Sequence, residues 1–372
     1  MGRAATATMN FDAIRHNYRL AKKASGNKKA VAIIKANAYG HNAVMAAKAL
    51  QQDADAFGVA CIEEALELRE AGIQHPILLL EGFFTEDELP VIAEQDLWTA
   101  VHSLDQIKMI ARTQLSRPIS VWLKMDSGMH RLGVSPDLYE EAYGQLTQLP
   151  QVENIVLMTH FACADELDRH ETKVQVGLFD YVTRNITAPA SLANSAGTLG
   201  HPDAHRDWQR PGIMLYGATP FEHAHEWGDQ LRAVMTLSSE VIAVHHLNKG
   251  DAIGYGGSFV CDKNMKVGTV AMGYADGYPR HAKTGTPVLV NGQRTRILGR
   301  VSMDMLCVDL TEIVDGQVGS HVELWGENLL ASEVAPWCDT IPYTLFTGIT
   351  KRVHKAYENI DPQQSTPLQS VG

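Results

Sequence analysis

The chain has 372 residues, 45% hydrophobic and 20% charged, with 30 glycines and 15 prolines. These proportions exclude disorder, collagen-like repeats and low complexity, and at ~150 residues per domain the length suggests about two domains. Acidic residues outnumber basic ones, 43 to 32, for a net charge of −11. That excludes a general nucleic-acid binder, which needs a basic face, but not a small anion held by local cations. No run approaches the ~18 apolar residues of a membrane span, and Met1–Met9 lacks the apolar core of a signal peptide. The five cysteines, Cys61, Cys163, Cys261, Cys307 and Cys338, form no CxxC pair. The expectation is a cytoplasmic protein with reduced cysteines that serve packing, and no zinc site.

In the first ~220 residues eight short apolar runs alternate with helical patterns. The runs are Ala30–Lys35, Ala56–Ala60, Pro76–Gly82, Leu97–His102, Ile119–Asp126, Asn154–Phe161, Ala190–Asn194 and Gly212–Gly217. Between them lie segments such as Ile62–Ala71, with apolar positions on one side and carboxylates on the other. Runs such as Ile77-Leu78-Leu79-Leu80 are apolar on both faces, which marks buried parallel strands. Eight such units predict a closed (β/α)8 barrel, with a doubly wound open sheet as the alternative. Beyond residue 230 strands follow one another directly: Met235–His246, Met265–Gly273, Pro287–Val290, Arg296–Leu310 and His321–Gly326. Turn signals separate them, and Asn291-Gly292 predicts a type I′ hairpin into Gln293–Leu298. This reads as a mainly β domain with one late helix over Ile341–Arg352. The division is a barrel over 10–230, a β domain over 231–360, and a frayed tail over 361–372.

In such a barrel chemistry sits at the C-terminal ends of the strands. The first strand ends in Lys35-Ala36-Asn37-Ala38-Tyr39-Gly40-His41. A lysine directly after a strictly apolar run is a nucleophile for an aldehyde when its amine is neutral; the plainer alternative is a lysine snorkelling from a strand end. The fifth ends in Lys124-Met125-Asp126-Ser127-Gly128-Met129-His130-Arg131-Leu132-Gly133, cations and glycines that read either as a ligand mouth or as a solvated loop. His160 closes the sixth run, as a base, a stacking partner or a satisfied histidine. Ser195 opens a small, glycine-rich turn into a helix, a weak phosphate-cradle pattern. Arg210 precedes the eighth run as a candidate fixed cation. In the β domain, Gly254-Tyr255-Gly256-Gly257 sets a tyrosine in bare backbone, and Gly273-Tyr274-Ala275-Asp276-Gly277 repeats the theme. No dinucleotide fingerprint, Walker loop or serine-hydrolase elbow occurs. The remaining inventory suits a phosphorylated aldehyde cofactor, pyridoxal phosphate.

The segment Ala32–His41 resembles the cofactor-attachment signature of the alanine racemases. Lys124–Gly133, Ala193–Gly197, Arg210–Gly217, Gly254–Gly257, Gly273–Arg280, Gly299–Asp309 and Ile341–Arg352 extend the resemblance, in family order, over nearly the whole chain. It implies a homodimer that interconverts L- and D-alanine through a pyridoxal-phosphate aldimine. Lys35 would hold the cofactor and act as one acid–base group, with Tyr255 of the partner subunit as the other. Racemisation takes a proton from one face of the α-carbon and returns one to the other, so two opposed bases are needed. The resemblance further implies that Arg210 faces the pyridine nitrogen with His160 beside it. Tyr39, Ser195, Gly212, Ile213 and Tyr343 would hold the phosphate, Arg131 would contact the substrate carboxylate region, and Tyr274 and Met303 would line the substrate side from the second subunit. Residues 4–9 would add a strand to the β domain. Lys124 matches a position that the family can carbamylate, and Asp165, Arg280 and Arg300 would shape the entrance. Ser127 stands where the family more often has Thr. Other readings are a broad-specificity amino-acid racemase, a decarboxylase of the same architecture, and a pyridoxal-phosphate carrier. A decarboxylase usually offers an acid to the pyridine nitrogen, and carriers lack the β domain. D-Alanine supply for the cell wall and alanine breakdown both remain open as the role.

Overall fold

The computed structural model describes residues 2–360; the tail expected to fray, 361–372, lies outside them. The chain divides into two compact units, one from Ile14–Leu215 with Thr219–Leu231, the other from the segments ending at Ala13, Tyr216–Ala218 and the chain from Arg232 on.

The first strand, β1 (Thr6–Asn10), belongs to the second unit. The first unit then runs through β2 (Lys29–Ile33), β3 (Ala56–Val59), β4 (Ile77–Leu79), β5 (Leu97–Val101), β6 (Ile119–Lys124), β7 (Val152–Met158), β8 (Ala190–Ser191) and β9 (Trp208–Gln209). All pair in parallel in the order β8-β7-β6-β5-β4-β3-β2-β9. The outer two meet where Ser191 Oγ donates to the Trp208 carbonyl at 2.9 Å and the Arg210 amide donates to Ala193 at 3.0 Å, which brings the sheet round into a barrel. The expectation of a parallel barrel holds. The lumen is packed: Trp98 and Trp208, from opposite strands, lie with ring centres 5.5 Å apart, and Trp122 completes the cluster.

The eighth strand differs from the one expected. Gly212–Gly217 is not a strand; Ile213–Tyr216 forms a 3-10 turn, and Trp208–Gln209 pairs with β2 instead. Ile213, Met214, Leu215 and Tyr216 are apolar because they are packed away from water, not because they pair. Gly217 then turns the chain at φ +83°, where a Cβ would stand 2.0 Å from the Arg232 carbonyl oxygen.

The second unit continues with β10 (Met235–Leu247), β11 (Ala252–Ile253), β12 (Phe259–Val260), β13 (Met265–Val270), β14 (Pro287–Val290), β15 (Gln293–Leu298), β16 (Leu306–Asp309), β17 (His321–Trp325) and β18 (His354–Glu358). The long β10 pairs with β17 through Leu237–Glu240 and with β13 through Val241–Leu247. The ring β10-β13-β16-β15-β14-β17 therefore closes on itself, with β1 added beside β10 and β18 beside β1. Asn291 and Gly292 both take positive φ in the two-residue turn between β14 and β15, as the type I′ reading requires. Two expectations fail. Arg296–Leu310 is broken at Gly299, φ +70°, into β15, a loop and β16. The late helix spans only Pro342–Thr347, because Gly348 packs against Gly277 so closely that a Cβ on Gly277 would sit 2.2 Å from the Gly348 carbonyl oxygen. All five cysteines are free.

Candidate active site

The C-terminal ends of the barrel strands carry Lys35 after β2, Glu81 after β4, His102 after β5, Lys124 on β6, His160 after β7, Ser195 after β8 and Arg210 after β9. These ends gather four cations. The charges of Arg210, Arg131 and Lys35 all act on Lys124, whose ammonium is pushed down to about 8, first by burial and then by those neighbours, against the pull of Glu81. Lys124 is 6% exposed, and its ammonium has no hydrogen-bond or ion-pair partner among the described residues. Burial, followed by Arg210, Lys124, Arg131 and Lys35, holds the His160 imidazole well below its ordinary value, so this ring is neutral at physiological pH.

Arg210 is the most enclosed of the four. Nη1 donates to the Ser191 carbonyl (2.9 Å) and to Ser191 Oγ (2.5 Å). Nη2 donates to the carbonyls of Thr159 (2.5 Å) and Leu192 (3.1 Å) and meets His160 Nδ1 at 3.5 Å. Among the described residues nothing accepts from Nε. Burial pushes the guanidinium down to about 9, which leaves it charged at neutral pH. Its fixed orientation comes from acceptors on the ends of β7 and β8, whose positions the barrel ladder sets.

A second cluster lies beside it. Ser195 Oγ accepts from the Gly212 amide at 2.8 Å and the Met214 amide at 3.4 Å. A Cβ at Gly212 would stand 3.0 Å from the Tyr39 hydroxyl, so only glycine leaves this corner open. Asn194 caps the short helix Ser195–Gly200 by accepting from the Gly197 amide. Tyr39 reaches the corner from an unusual turn. Ala36, Asn37, Ala38 and Tyr39 all have φ between +47° and +53°, followed by Gly40 at +83°. This is a turn of left-handed helix in non-glycine residues, each costing about 1–2 kcal/mol. Bonds from Ala38 N–H to the Ile34 carbonyl (2.8 Å), Gly40 N–H to Ala36 (3.0 Å) and Asn42 N–H to Asn37 (3.0 Å) hold it. Such strain persists only where the surroundings over-determine it.

Several participants were not legible in sequence. Ser127 is no solvated loop residue: it is buried, with Oγ 2.6 Å from Thr159 Oγ1 and accepting from Gln175 Nε2 at 3.1 Å. His102 closes an apolar run, so the strand-end rule that selected Lys35 would have selected it too. Glu81 and Glu64 carry no sequence signal beyond an acid after a strand and an acid in a first helical turn.

Asp165 lies in the barrel unit; Tyr255, Tyr274, Arg280, Arg300, Met303 and Tyr343 lie in the β unit. Tyr255, in the glycine-rich loop between β11 and β12, is 73% exposed. The Tyr274 amide donates to the Ser302 carbonyl, and Ala275 donates to that of Met303, so these loops form one assembly. Beneath it lies Asp276, fully buried, accepting from Arg3 (Nη2 2.6 Å, Nε 3.2 Å) and the Gly273 amide (2.9 Å), with Arg352 Nε at 3.4 Å. Met303 is 53% and Tyr343 37% exposed.

A parallel barrel with a lysine at the end of its first barrel strand, a buried arginine at the same mouth and a separate β unit downstream defines the barrel class of pyridoxal-phosphate enzymes. Residues 9–220 match the alanine racemase N-terminal domain and residues 234–357 the alanine racemase C-terminal domain. The chain is 57% identical to the alanine racemase of Pseudomonas taetrolens over 95% of its own length and 99% of that protein. It superposes on the biosynthetic alanine racemase of Pseudomonas aeruginosa with a TM-score of 0.93 at 43% identity, covering 96% of this chain and 100% of the other. A Bartonella henselae alanine racemase with covalently bound pyridoxal phosphate matches with a TM-score of 0.86 at 30% identity, over 95% and 99% of the chains. The chain belongs to the alanine racemase family, pyridoxal-phosphate-dependent isomerases. No helix among the described residues is long and apolar enough to cross a membrane.

Proposed function

We propose that this protein racemises alanine in the cytoplasm as a homodimer with shared active sites, Lys35 and the partner subunit's Tyr255 acting on opposite faces of the substrate. The observation that carries the reading is the mouth itself, where Lys35 ends a strand among Lys124, Arg131 and Arg210.

The residues present fit pyridoxal phosphate. The open corner at Gly212, with the Tyr39 hydroxyl, Ser195 Oγ and the Gly212 and Ile213 backbone, supplies polar groups for a phosphate. Arg210 keeps one uncommitted donor, Nε, for the pyridine nitrogen, while its Nη groups are anchored. A permanent cation there leaves that nitrogen unprotonated. Neutral His160 flanks it and Arg131 meets the substrate carboxylate; the partner subunit's Tyr274 and Met303 line the substrate side.

When bound, the cofactor acidifies the α-hydrogen of alanine by withdrawing electrons from the α-carbon. Lys35 would hold the cofactor covalently, and its free amine would take or return the α-proton on one face. The partner's Tyr255 does so on the other through its phenolic oxygen. The exposure of Tyr255 supports a surface that another subunit completes. An unpaired amine at Lys124, close to losing its proton at neutral pH, supports carbamylation there: the nitrogen lone pair adds to the carbon of carbon dioxide, an N–C bond forms as one C=O π bond breaks onto its oxygen, and a proton leaves to water, giving a carbamate anion.

The test is a panel of L-alanine, L-serine, L-lysine and L-arginine incubated with the cofactor-loaded protein and resolved by chiral chromatography. D-Alanine should dominate. Equal turnover of all four favours a broad-specificity racemase, and an amine with loss of carbon dioxide a decarboxylase.

A further inference from the structure

We infer that Glu64 is a positioning residue of the site, its carboxylate fixing the left-handed turn that aims Lys35 and Tyr39. Glu64 lies in the first turn of the helix Ile62–Glu70, half-buried. Its two oxygens do different work. Oε2 accepts from the Ala60 amide at 2.7 Å, one residue before the helix cap Cys61, so it ties down the approach to its own helix. Oε1 accepts from the Ala36 amide, also at 2.7 Å, twenty-eight residues away in the chain. No helix start requires that second bond.

The Ala36 N–H shares a peptide plane with the Lys35 carbonyl. Gripping that N–H fixes the plane, and the plane sets the ψ of Lys35 and the direction in which its side chain leaves the strand. The same grip acts on the first residue of the left-handed turn, where each non-glycine residue disfavours its own conformation. From the far end, the Ala43 amide donates to Asn37 Oδ1 at 2.8 Å, and His41 Nδ1 lies 3.0 Å from the Ala38 and Tyr39 carbonyl oxygens. Glu64 therefore clamps the entry of the turn and Asn37 and His41 its exit, with Lys35 immediately before it and Tyr39 at its last non-glycine position. A carboxylate suits the task because it accepts two amides at once; a carboxamide offers one carbonyl oxygen and turns an N–H toward the second donor.

The inference rests on the assignment of Lys35 as the cofactor lysine. The experiment therefore begins with wild-type protein: titration with pyridoxal phosphate, then borohydride reduction and peptide mapping. A label on any lysine other than Lys35 removes that assignment independently of Glu64. With the label on Lys35, Glu64→Gln should bind pyridoxal phosphate about tenfold more weakly, the loss of one charge-assisted bond. The pH dependence of the bound cofactor's visible absorption should shift, with far-UV circular dichroism unchanged. Glu67→Gln, an exposed acid on the same helix, should behave as wild type. Adding Ala36→Gly to Glu64→Gln should recover at least threefold in affinity, since glycine enters the left-handed region without strain. If Glu64→Gln alone does not fold, the double variant should fold and bind within threefold of Ala36→Gly. Wild-type affinity and absorption in Glu64→Gln, or failure of Ala36→Gly to restore either binding or folding, overturns the inference and leaves Glu64 as a helix cap.

Discussion

Lys124→Met is the most informative single change in the barrel, because the structure gives both its sign and its size. The Lys124 amine falls from an ordinary 10.5 to about 8 in the fold, with burial the leading cause and Arg210, Arg131 and Lys35 adding to it. At neutral pH the folded protein therefore holds a cation that the unfolded chain holds more readily, a cost of about 3 kcal/mol at 1.36 kcal/mol per pH unit. At 6% exposure, water screens little of it. Methionine keeps the length and apolar stem and removes the charge. In cofactor-free protein and carbonate-free buffer at pH 7, Lys124→Met should melt about 5 °C or more above wild type by calorimetry. The penalty is present in full below pH 8. As pH rises past 8 the folded amine loses its proton while the unfolded one still holds it, so wild type gains stability and the difference vanishes near pH 10.5. Bicarbonate at pH 7 should raise the melting temperature of wild type and not of the variant. A variant less stable than wild type by the same margin at pH 7 and pH 10 would refute the reasoning.

Two further outcomes follow from the same geometry. Tyr255→Phe should depress steady-state racemisation equally in both directions, by about 10²–10⁴, because a catalyst cannot move the equilibrium between enantiomers. In heavy water it should still wash deuterium into D-alanine without inversion, through Lys35; exchange confined to L-alanine would reverse the assignment of faces. Asp276→Asn should destabilise the protein by about 3 kcal/mol in denaturant titration, since it leaves Arg3 and Arg352 facing a neutral amide at a buried site. A loss below about 1 kcal/mol would show that the two arginines find other partners.

What sequence could show divides along physical lines. Strands buried on both faces announced the parallel barrel, since continuous apolar runs have few other uses, and the strand-end rule then isolated Lys35 and Lys124. The same logic misplaced the eighth strand: Ile213–Tyr216 is as apolar as a strand but is buried as a 3-10 turn, and pairing leaves no trace in composition. Trp208–Gln209 pairs over two residues only, too few for any periodicity. The strand β18 escaped because its burial pattern is half-exposed throughout. Ser127 reads as a polar loop residue until Thr159 and Gln175, 32 and 48 residues away, are seen against it. The left-handed turn was invisible, because Ala36, Asn37 and Ala38 carry no preference for positive φ strong enough to signal it; the bonds that impose it come from Glu64, Ala43 and His41.

The claim that two chains build each active site is tested most directly by mixing inactive subunits. A Lys35→Ala chain lacks the cofactor lysine and a Tyr255→Phe chain lacks the opposing base, so each homodimer should be nearly inactive. In the heterodimer one site carries both defects and the other carries neither. After subunit exchange is verified by native mass spectrometry, alanine racemisation should return to up to half the wild-type rate per heterodimer. Complete exchange with no recovery of activity would contradict shared sites and place Lys35 and Tyr255 of one chain in the same active site.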